Sequence, residues 1–302
     1  MIRKITIDDK EYPKNLRNIY NPPKVLYVNG TLLEQDEMAV ALVGSRRASM
    51  YGLEMCEKLA YELAIRGVTV VSGMARGIDS AAHKGALKAK GRTIAVLGSG
   101  HDNIYPPENK KLYHEIVKIG AVITEFESDV PPLPENFPQR NRIISGLSLG
   151  VVVVEAAKNS GALITANFAA EQGRTVFAVP GKISSITSAG TNELIKDGAR
   201  LVQSVDDILD ELSLSEIEPA VGEKKDEIEE RIAKKTKAYI YNSLTDDERK
   251  IYKALSEEPT YIDEVLDKSG LSPTKASKAI LNLELKSLIQ ELPGKQFMRK
   301  ER

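Results

Sequence analysis

Residues 39–73, AVALVGSRRASMYGLEMCEKLAYELAIRGVTVVSG, place a long amphipathic segment between two short apolar runs. The runs AVALVG (39–44) and VTVVSG (68–73) are almost wholly apolar, as is typical of strands buried on both faces of a sheet. Between them, Leu53, Cys56, Leu59 and Leu63 recur at helical spacing, and Gly67 marks the end of that helix. This order predicts a strand–helix–strand unit with two parallel strands.

Four further apolar runs continue the alternation of strands and helices. They are TIAVLG (93–98), AVITEF (121–126), VVVVEA (151–156) and TVFAVPG (175–181). Such a series predicts an α/β fold, a Rossmann-like and mostly parallel sheet with flanking helices, over residues 39–205. In such sheets ligands bind at the carboxyl ends of the strands.

The rest of the chain divides by composition into three segments. Residues 1–38 are expected to form a short N-terminal lead-in with turns before the first strand. Residues 206–242 are expected to form an acidic linker, since residues 206–230 hold eleven acidic and two basic side chains. Residues 243–302 predict three helices and a terminal hairpin, which together make a small winged-helix domain. This domain carries equal numbers of acids and bases, so DNA and protein both remain open as its partner.

Composition excludes several classes of protein. No apolar run is long enough to span a membrane, and the first residues lack the apolar stretch of a signal peptide. Cys56 is the single cysteine, so no intrachain disulfide can form. We therefore expect a cytoplasmic protein without a membrane partner.

Two strand ends lead into loops rich in Gly, Ser and Arg. In VGSRRAS (43–49) a backbone of small residues precedes two arginines suited to phosphate, and the candidate ligands are Gly44, Ser45, Arg46 and Arg47. SGMARGIDSAAH (72–83) repeats this arrangement with Ser72, Gly73 and Arg76. Asp79 or Ser80 is expected to cap the helix that follows, which makes Asp79 a supporting residue.

Two more segments are expected at the same edge of the sheet, a loop at residues 137–148 and the opening of a helix at residues 160–173. FPQRNRIISGLS (137–148) contributes Arg140, Asn141 and Arg142, with Phe137 as a stacking platform. SGALITANFAAEQG (160–173) contributes Gly161 and Thr165. Each loop alone is also compatible with ordinary helix capping. Together they predict a groove that follows the phosphates of single-stranded DNA.

The sequence predicts no catalytic residue, no metal site and no cofactor. The three histidines, His83, His101 and His114, are scattered and show no metal-ligand spacing. The lone G-x-G of LGSG (97–100) is a weak sign of nucleotide binding. Glu155, at the end of a strand, is expected to support the site by orienting Arg140 or Arg142. The protein is therefore expected not to be an enzyme.

The motifs, taken in chain order, resemble those of the DprA/Smf family. They are GSR (44–46), SGMARGIDSAAH (72–83), TIAVLGSG (93–100), YPPEN (105–109), FPQRNRIISGLS (137–148), VVVVEA (151–156), SGALITANFAAEQGRTVFAVPG (160–181) and GTNELIKDGA (190–199). The resemblance implies a protein of natural transformation that binds and protects incoming single-stranded DNA and loads the RecA recombinase onto it. It also implies a homodimer formed through the Rossmann-like domain.

By position in these motifs, Arg46 corresponds to the main DNA-contacting arginine of the family. Some relatives carry a lysine after Tyr-Pro, where this chain has Pro107, so that contact is expected from Lys110 or Lys111. One alternative is a nucleotide-processing Rossmann enzyme related to nucleoside-monophosphate phosphoribohydrolases. Another is a regulator that binds duplex or RNA through the winged helix.

Overall fold

A computed structural model describes residues 2–214, 244–256, 258–285, 288–292 and 294–299. The chain divides into two compact units, Met1–Gly222 and Glu223–Arg302. No helix in the described part of the chain combines the length and the apolarity that crossing a membrane requires.

The first unit is a nine-stranded sheet with helices between the strands. Its strands are β1 (Arg3–Thr6), β2 (Val25–Gly30), β3 (Ala39–Gly44), β4 (Thr69–Ser72), β5 (Thr93–Val96), β6 (Ala121–Thr124), β7 (Gly150–Glu155), β8 (Thr175–Ala178) and β9 (Arg200–Leu201). Its helices are α1 (Lys14–Arg17), α2 (Met50–Ile65), α3 (Ile78–Lys88), α4 (Lys110–Ile119), α5 (Asn136–Leu147), α6 (Gly161–Glu171), α7 (Ala189–Lys196) and α8 (Val205–Glu211).

The strand order is β1-β2-β6-β5-β4-β3-β7-β8-β9, and the seven strands from β6 to β9 are parallel. All six predicted strands are present, so the prediction of a mostly parallel α/β sheet is confirmed. Residues of β3 alternate between two cores: Ala41 and Val43 pack on one face of the sheet, Val40 and Leu42 on the other. The chain reverses its direction across the sheet between β3 and β7, which places the topological switch point at the ends of these two strands.

The segment expected as a lead-in is an integral part of this sheet. Strand β2 pairs with β6 in antiparallel orientation, from Tyr27 opposite Thr124 to Gly30 opposite Ala121. Strand β1 then pairs with β2. Both strands bury apolar side chains in the main core, among them Ile5, Leu26 and Val28. The short, half-polar strands lacked the continuous apolar signal on which the other assignments rested.

A largely buried ion pair between Arg92 and Asp36, whose side chains are 14% and 8% exposed, ties this segment to the parallel sheet. Arg92, just before β5, donates from Nε to Asp36 Oδ1 at 2.8 Å and from Nη2 to Asp36 Oδ2 at 2.7 Å. The same guanidinium donates to the carbonyls of Thr31 and Ile119, at 2.8 and 2.9 Å. Asp36 also accepts from the hydroxyl of Thr69 at 2.8 Å. One side-chain pair therefore joins the end of β2 to the starts of β4, β5 and β6.

The first residues of the expected acidic linker belong to the folded unit. Helix α8 begins after a capping box in which Ser204 and Asp207 satisfy each other's backbone N–H groups. Its side chains Val205, Ile208 and Leu209 are buried against the core formed with α2. Residues 215–242 of that linker lie outside the described residues.

The second unit confirms the predicted winged helix. It consists of α9 (Asp246–Ala254), α10 (Ile262–Ser269) and α11 (Pro273–Leu285), with strands β10 (Thr260–Tyr261), β11 (Ile289–Leu292) and β12 (Gln296–Arg299). Thr245 caps α9 by accepting from the N–H of Glu248. The hairpin β11–β12 packs on a core that includes Ile251, Leu283 and Phe297.

We expect Arg92→Ala to lower the free energy of unfolding by about 3 kcal/mol, because it leaves the Asp36 carboxylate buried without its partner. Arg200→Ala is the matched control, since it removes an ion pair with Glu211 in which the arginine side chain is 64% exposed. That control should cost less than about 1 kcal/mol. Urea unfolding of both variants measures the difference, and equal losses would contradict the structural role of Arg92.

Candidate nucleic-acid interface

The loop after β3 lies at the topological switch point and is held by the end of the neighbouring strand β7. Its backbone is held where the Ser45 N–H donates to the Glu155 carbonyl at 2.7 Å. Ser49 ends the loop and caps α2, its hydroxyl accepting from the N–H of Gly52 at 3.1 Å. Between these fixed points the side chains of Arg46 and Arg47 are exposed. The loop thus presents two guanidinium groups beside the positive end of a sixteen-residue helix.

The loop after β4 lies against the loop after β3. The Ile78 N–H donates to the Ser45 carbonyl at 3.2 Å. Gly77 adopts a positive φ of 72°, and a Cβ at this position would collide with the Ser45 carbonyl. Only glycine fits so close an approach, which explains the second glycine of this motif.

Neither Asp79 nor Ser80 caps α3, contrary to the expectation. Gly77 precedes that helix, and no side chain caps it. Asp79 lies inside the first turn and accepts from the N–H of Ala75 at 3.3 Å, which folds the loop back on itself. Burial raises the pKa of Asp79, and the charge of Arg140 opposes that rise.

FPQRNRIISGLS forms a helix, α5, in place of the expected loop. Arg140 on this helix is buried, with 3% of its surface exposed. Its Nη1 donates to the carbonyl of Gly73 at 2.6 Å and to that of Val96, which joins the ends of β4 and β5. Burial lowers the pKa of Arg140 to about 10, with Asp79 opposing the shift and Arg46 adding to it. Arg140 therefore supplies positive charge from beneath the loops and does not reach out of them.

Phe137 lies between two guanidinium groups. The Cζ atom of Arg46 is 5.2 Å from the centroid of the Phe137 ring, and that of Arg140 is 5.9 Å from it. Tyr105 packs beside the same ring, with the centroids 5.7 Å apart, and is 38% exposed. Tyr105 is not among the predicted site residues, because no sequence spacing links the loop after β5 to α5.

The remaining predicted residues of this edge differ in accessibility. Ser72 is buried and donates its hydroxyl to the Leu42 carbonyl at 2.7 Å, and Thr165 is buried within α6. Asn141 is also buried and donates from Nδ2 to the Gly161 carbonyl at 3.4 Å. Gly161 itself is exposed at the start of α6, with open space where a Cβ would be. Of these four, Gly161 alone presents its backbone to solvent.

Arg142 lies apart from the exposed arginines. Its side chain is 9% exposed, and its Nη2 donates to Glu125 Oε2 at 2.6 Å, just beyond β6. Burial raises the pKa of Glu125, and Arg142 opposes that rise. This buried pair leaves Arg142 unavailable for a phosphate at the surface.

Three further basic residues, in the loop after β4 and at the start of α4, are exposed. Arg76 donates from Nε to Glu108 Oε1, and both side chains are more than half exposed. Lys110 is exposed at the first position of α4. Lys111 is exposed as well, 3.9 Å from Glu115.

The expected contact of Glu155 with an arginine is wrong. Its buried carboxylate accepts from the Ser49 N–H at 2.7 Å and from the Thr187 hydroxyl at 2.5 Å. Neither arginine bonds to Glu155, because Arg140 donates to carbonyls at the ends of β4 and β5 and Arg142 donates to Glu125. Glu155 instead occupies the N-terminus of α2 and joins the loop after β3 to the turn around Thr187.

The histidines have structural surroundings. His83 is buried against Thr93, 2.7 Å from its hydroxyl, and burial lowers its pKa to about 3. His101 contacts the Tyr113 hydroxyl at 2.8 Å and the Tyr27 carbonyl at 3.0 Å. Among the residues that the structure covers, no three His, Cys, Asp or Glu side chains lie close enough together to hold a metal ion.

We expect Glu155→Ala to destabilise the first unit by about 1–3 kcal/mol, because the Ser49 N–H and the Thr187 hydroxyl both lose their acceptor. Glu155→Gln is the control, since its amide oxygen can still accept from Ser49 and its NH₂ can donate to Thr187. Thermal unfolding should therefore rank the parent first, Gln second and Ala last. An Ala variant as stable as the parent would show that these two bonds do not stabilise the unit.

Comparisons with known proteins agree with this architecture. Residues 3–213 match the family model described as DNA recombination-mediator protein A, and residues 237–295 match the DprA winged helix domain. Protein Smf of Escherichia coli is 49% identical over 69% of this chain, which spans only 56% of that protein. Protein Smf of Synechocystis is 35% identical over 98% of this chain and 80% of its own length.

Two solved structures share the fold. DNA processing protein A of Streptococcus pneumoniae has a TM-score of 0.65 and 42% identity, covering 72% of this chain and 75% of its own. That of Helicobacter pylori has a TM-score of 0.63 and 32% identity, covering 70% of this chain and 97% of its own. Because the family model spans most of the chain and the Synechocystis relative aligns over nearly all of it, this protein belongs to the DNA recombination-mediator protein A family, the DprA/Smf family.

Proposed function

We propose that this protein binds single-stranded DNA along the carboxyl edge of its sheet. The observation that carries the proposal is the exposed guanidinium of Arg46 above the half-buried ring of Phe137, with Tyr105 alongside. Arginines bind phosphates, and aromatic rings stack on bases that have left a duplex. Combining both at one loop cluster is the chemistry of a single-strand site.

Phosphate contacts are assigned to the residues that the structure leaves accessible. These are the side chains of Arg46, Arg47, Arg76 and Lys110 and the backbone at Gly161, with Gly44 and Ser45 shaping the loop. Arg140 and Asn141 act from below, because they hold the loops and the start of α6 in place. Ser72, Gly73, Thr165 and Asp79 support the same edge from within.

The relatives support this proposal and extend it. The Helicobacter pylori structure is described as showing the single-stranded DNA binding mode of that protein. For this chain we propose a role in natural transformation, in which it protects incoming single-stranded DNA and loads RecA onto it. We further propose a homodimer formed through the Rossmann-like unit, where β9 is an edge strand and Leu201 is 45% exposed.

We propose that the protein acts without catalysis. In a nucleotide-processing enzyme of this fold, the N-terminus of the helix after the first parallel strand would be free for a phosphate. Here Glu155 already accepts from the Ser49 N–H at that place. Incubation with nucleoside monophosphates, followed by chromatography, tests the alternative directly, and release of free base would make this protein an enzyme.

We expect binding to labelled oligo-dT to weaken as salt increases. Four exposed cations, Arg46, Arg47, Arg76 and Lys110, each neutralising one phosphate, predict a log–log slope of about −3, at about −0.7 per phosphate on a single strand. A titration with and without unlabelled duplex competitor measures both the slope and the preference for a single strand. Binding insensitive to salt, or equal competition by duplex, would refute the proposal.

We expect Arg46→Ala to weaken oligo-dT binding about tenfold to a hundredfold, as loss of a charge-assisted contact does. Lys278→Ala, in the charge-balanced winged helix, is the control and should change affinity less than about twofold. The reverse ranking would move the DNA site to the second unit.

A further inference from the structure

The turn after β8 carries two isoleucines into solvent. Ile183 is 99% exposed and Ile186 is 81% exposed. These side chains are held there by the backbone of the turn, in which the Ser185 N–H donates to the Lys182 carbonyl at 2.9 Å and the Ser188 N–H to the Ser185 carbonyl at 3.2 Å. Asn192 clamps the start of the turn through two bonds with the backbone of Gly181, at 3.1 and 3.0 Å.

The first turn of α2 adds apolar surface beside this turn. Met50 is 56% exposed and Tyr51 is 47% exposed. The Tyr51 hydroxyl donates to the Pro180 carbonyl at 3.1 Å, so the tyrosine ring lies next to the residues that lead into the turn. We call Met50, Tyr51, Ile183 and Ile186 the isoleucine patch. It is a local concentration of large apolar side chains of the kind that marks an interaction site.

The isoleucine patch is linked to the proposed DNA site through the carboxylate of Glu155. Glu155 accepts from Ser49, which follows Arg46 and Arg47, and from Thr187, which follows Ile186. The two loops are thereby bonded to one carboxylate. Strand β8 lies two positions from β3 in the sheet, a distance of about 10 Å at the usual strand spacing. A short run of nucleotides leaving Arg46 can reach this turn.

The charges around the patch favour a nucleic acid. Arg46, Arg47 and Lys182 are exposed, and none of them forms an ion pair within the described part of the chain. Apolar side chains with a basic rim suit unstacked bases joined by phosphates. A stable protein partner would need about 800 Å² from this side, more than four side chains on two short turns supply.

We propose that the isoleucine patch extends the single-strand path beyond the Arg46–Phe137 contact, with bases packing on Ile183, Ile186 and Tyr51. This inference rests on the proposed function of the same edge. The turn at residues 182–188 then makes the affinity depend on the length of the oligonucleotide. Long oligonucleotides contact the patch, whereas short ones are held at Phe137 alone.

The test measures affinity for oligo-dT of about 4 to about 16 nucleotides, the range of site sizes in compact single-strand binding domains. The variant carries Ile183→Ser and Ile186→Ser together. We expect it to bind the shortest oligonucleotides like the parent and the longest about tenfold more weakly, as loss of base contacts does. Its thermal midpoint should equal that of the parent, since both side chains are exposed.

Leu33→Ser is the matched control. Leu33 is 46% exposed and follows β2 where that strand passes the start of β6, so it lies at the opposite edge of the sheet. It should bind every length like the parent.

The length dependence of the loss distinguishes the inference from its alternatives. Equal affinity of the double variant and the parent at all lengths overturns the inference, and so does an equal loss at all lengths. Normal DNA binding together with loss of a co-purifying protein would assign the patch to a protein partner and also overturn it. If Arg46→Ala leaves the shortest oligonucleotides bound as before, the proposed function itself fails.

Discussion

The buried carboxylate of Glu155 is the contact on which the arrangement of this edge depends. It lies at the end of β7, where the chain reverses its direction across the sheet, and it is 2% exposed. A buried charge is tolerated only when hydrogen bonds compensate its lost hydration. Glu155 finds them in the Ser49 N–H and the Thr187 hydroxyl, and in doing so it fixes two loops that belong to different strands. These two hydrogen bonds hold the loop that carries Arg46 and the turn that carries Ile186 at the same strand end.

A second constraint is the separation of arginines into buried and exposed sets. Arg140 and Arg142 bind partners inside the unit: Arg140 donates to strand-end carbonyls and Arg142 donates to Glu125. Arg46 and Arg47 form no such bonds and face solvent. The buried set gives the edge its rigidity and part of its positive potential, while the exposed set remains free to exchange water for phosphate. Phe137 contacts one arginine of each set, since the Cζ atoms of Arg46 and Arg140 lie 5.2 and 5.9 Å from the centroid of its ring.

The N-terminal strands are also held by a hydrogen-bonded charged group, the pair of Asp36 and Arg92. The side chains of Arg92 and Asp36 are 14% and 8% exposed, and their hydrogen bonds reach the ends of several strands. The pair ties the end of β2 to the parallel strands, and β1 joins the sheet by pairing with β2.

The sequence alone determined the parallel sheet, its carboxyl-edge loops and the winged helix, because continuous apolar runs and glycine-bounded turns are local signals. It also identified Arg46 and Phe137, which lie in segments with distinctive composition. Only the tertiary structure decided which arginines reach solvent. FPQRNRIISGLS became a helix because Ile143, Ile144 and Leu147 bury one of its faces in the core, and this turned Arg140 and Arg142 inward. The partners of Glu155 and the place of Tyr105 depended likewise on contacts between residues far apart in the chain, and the periodicity of one segment carries no information about such contacts.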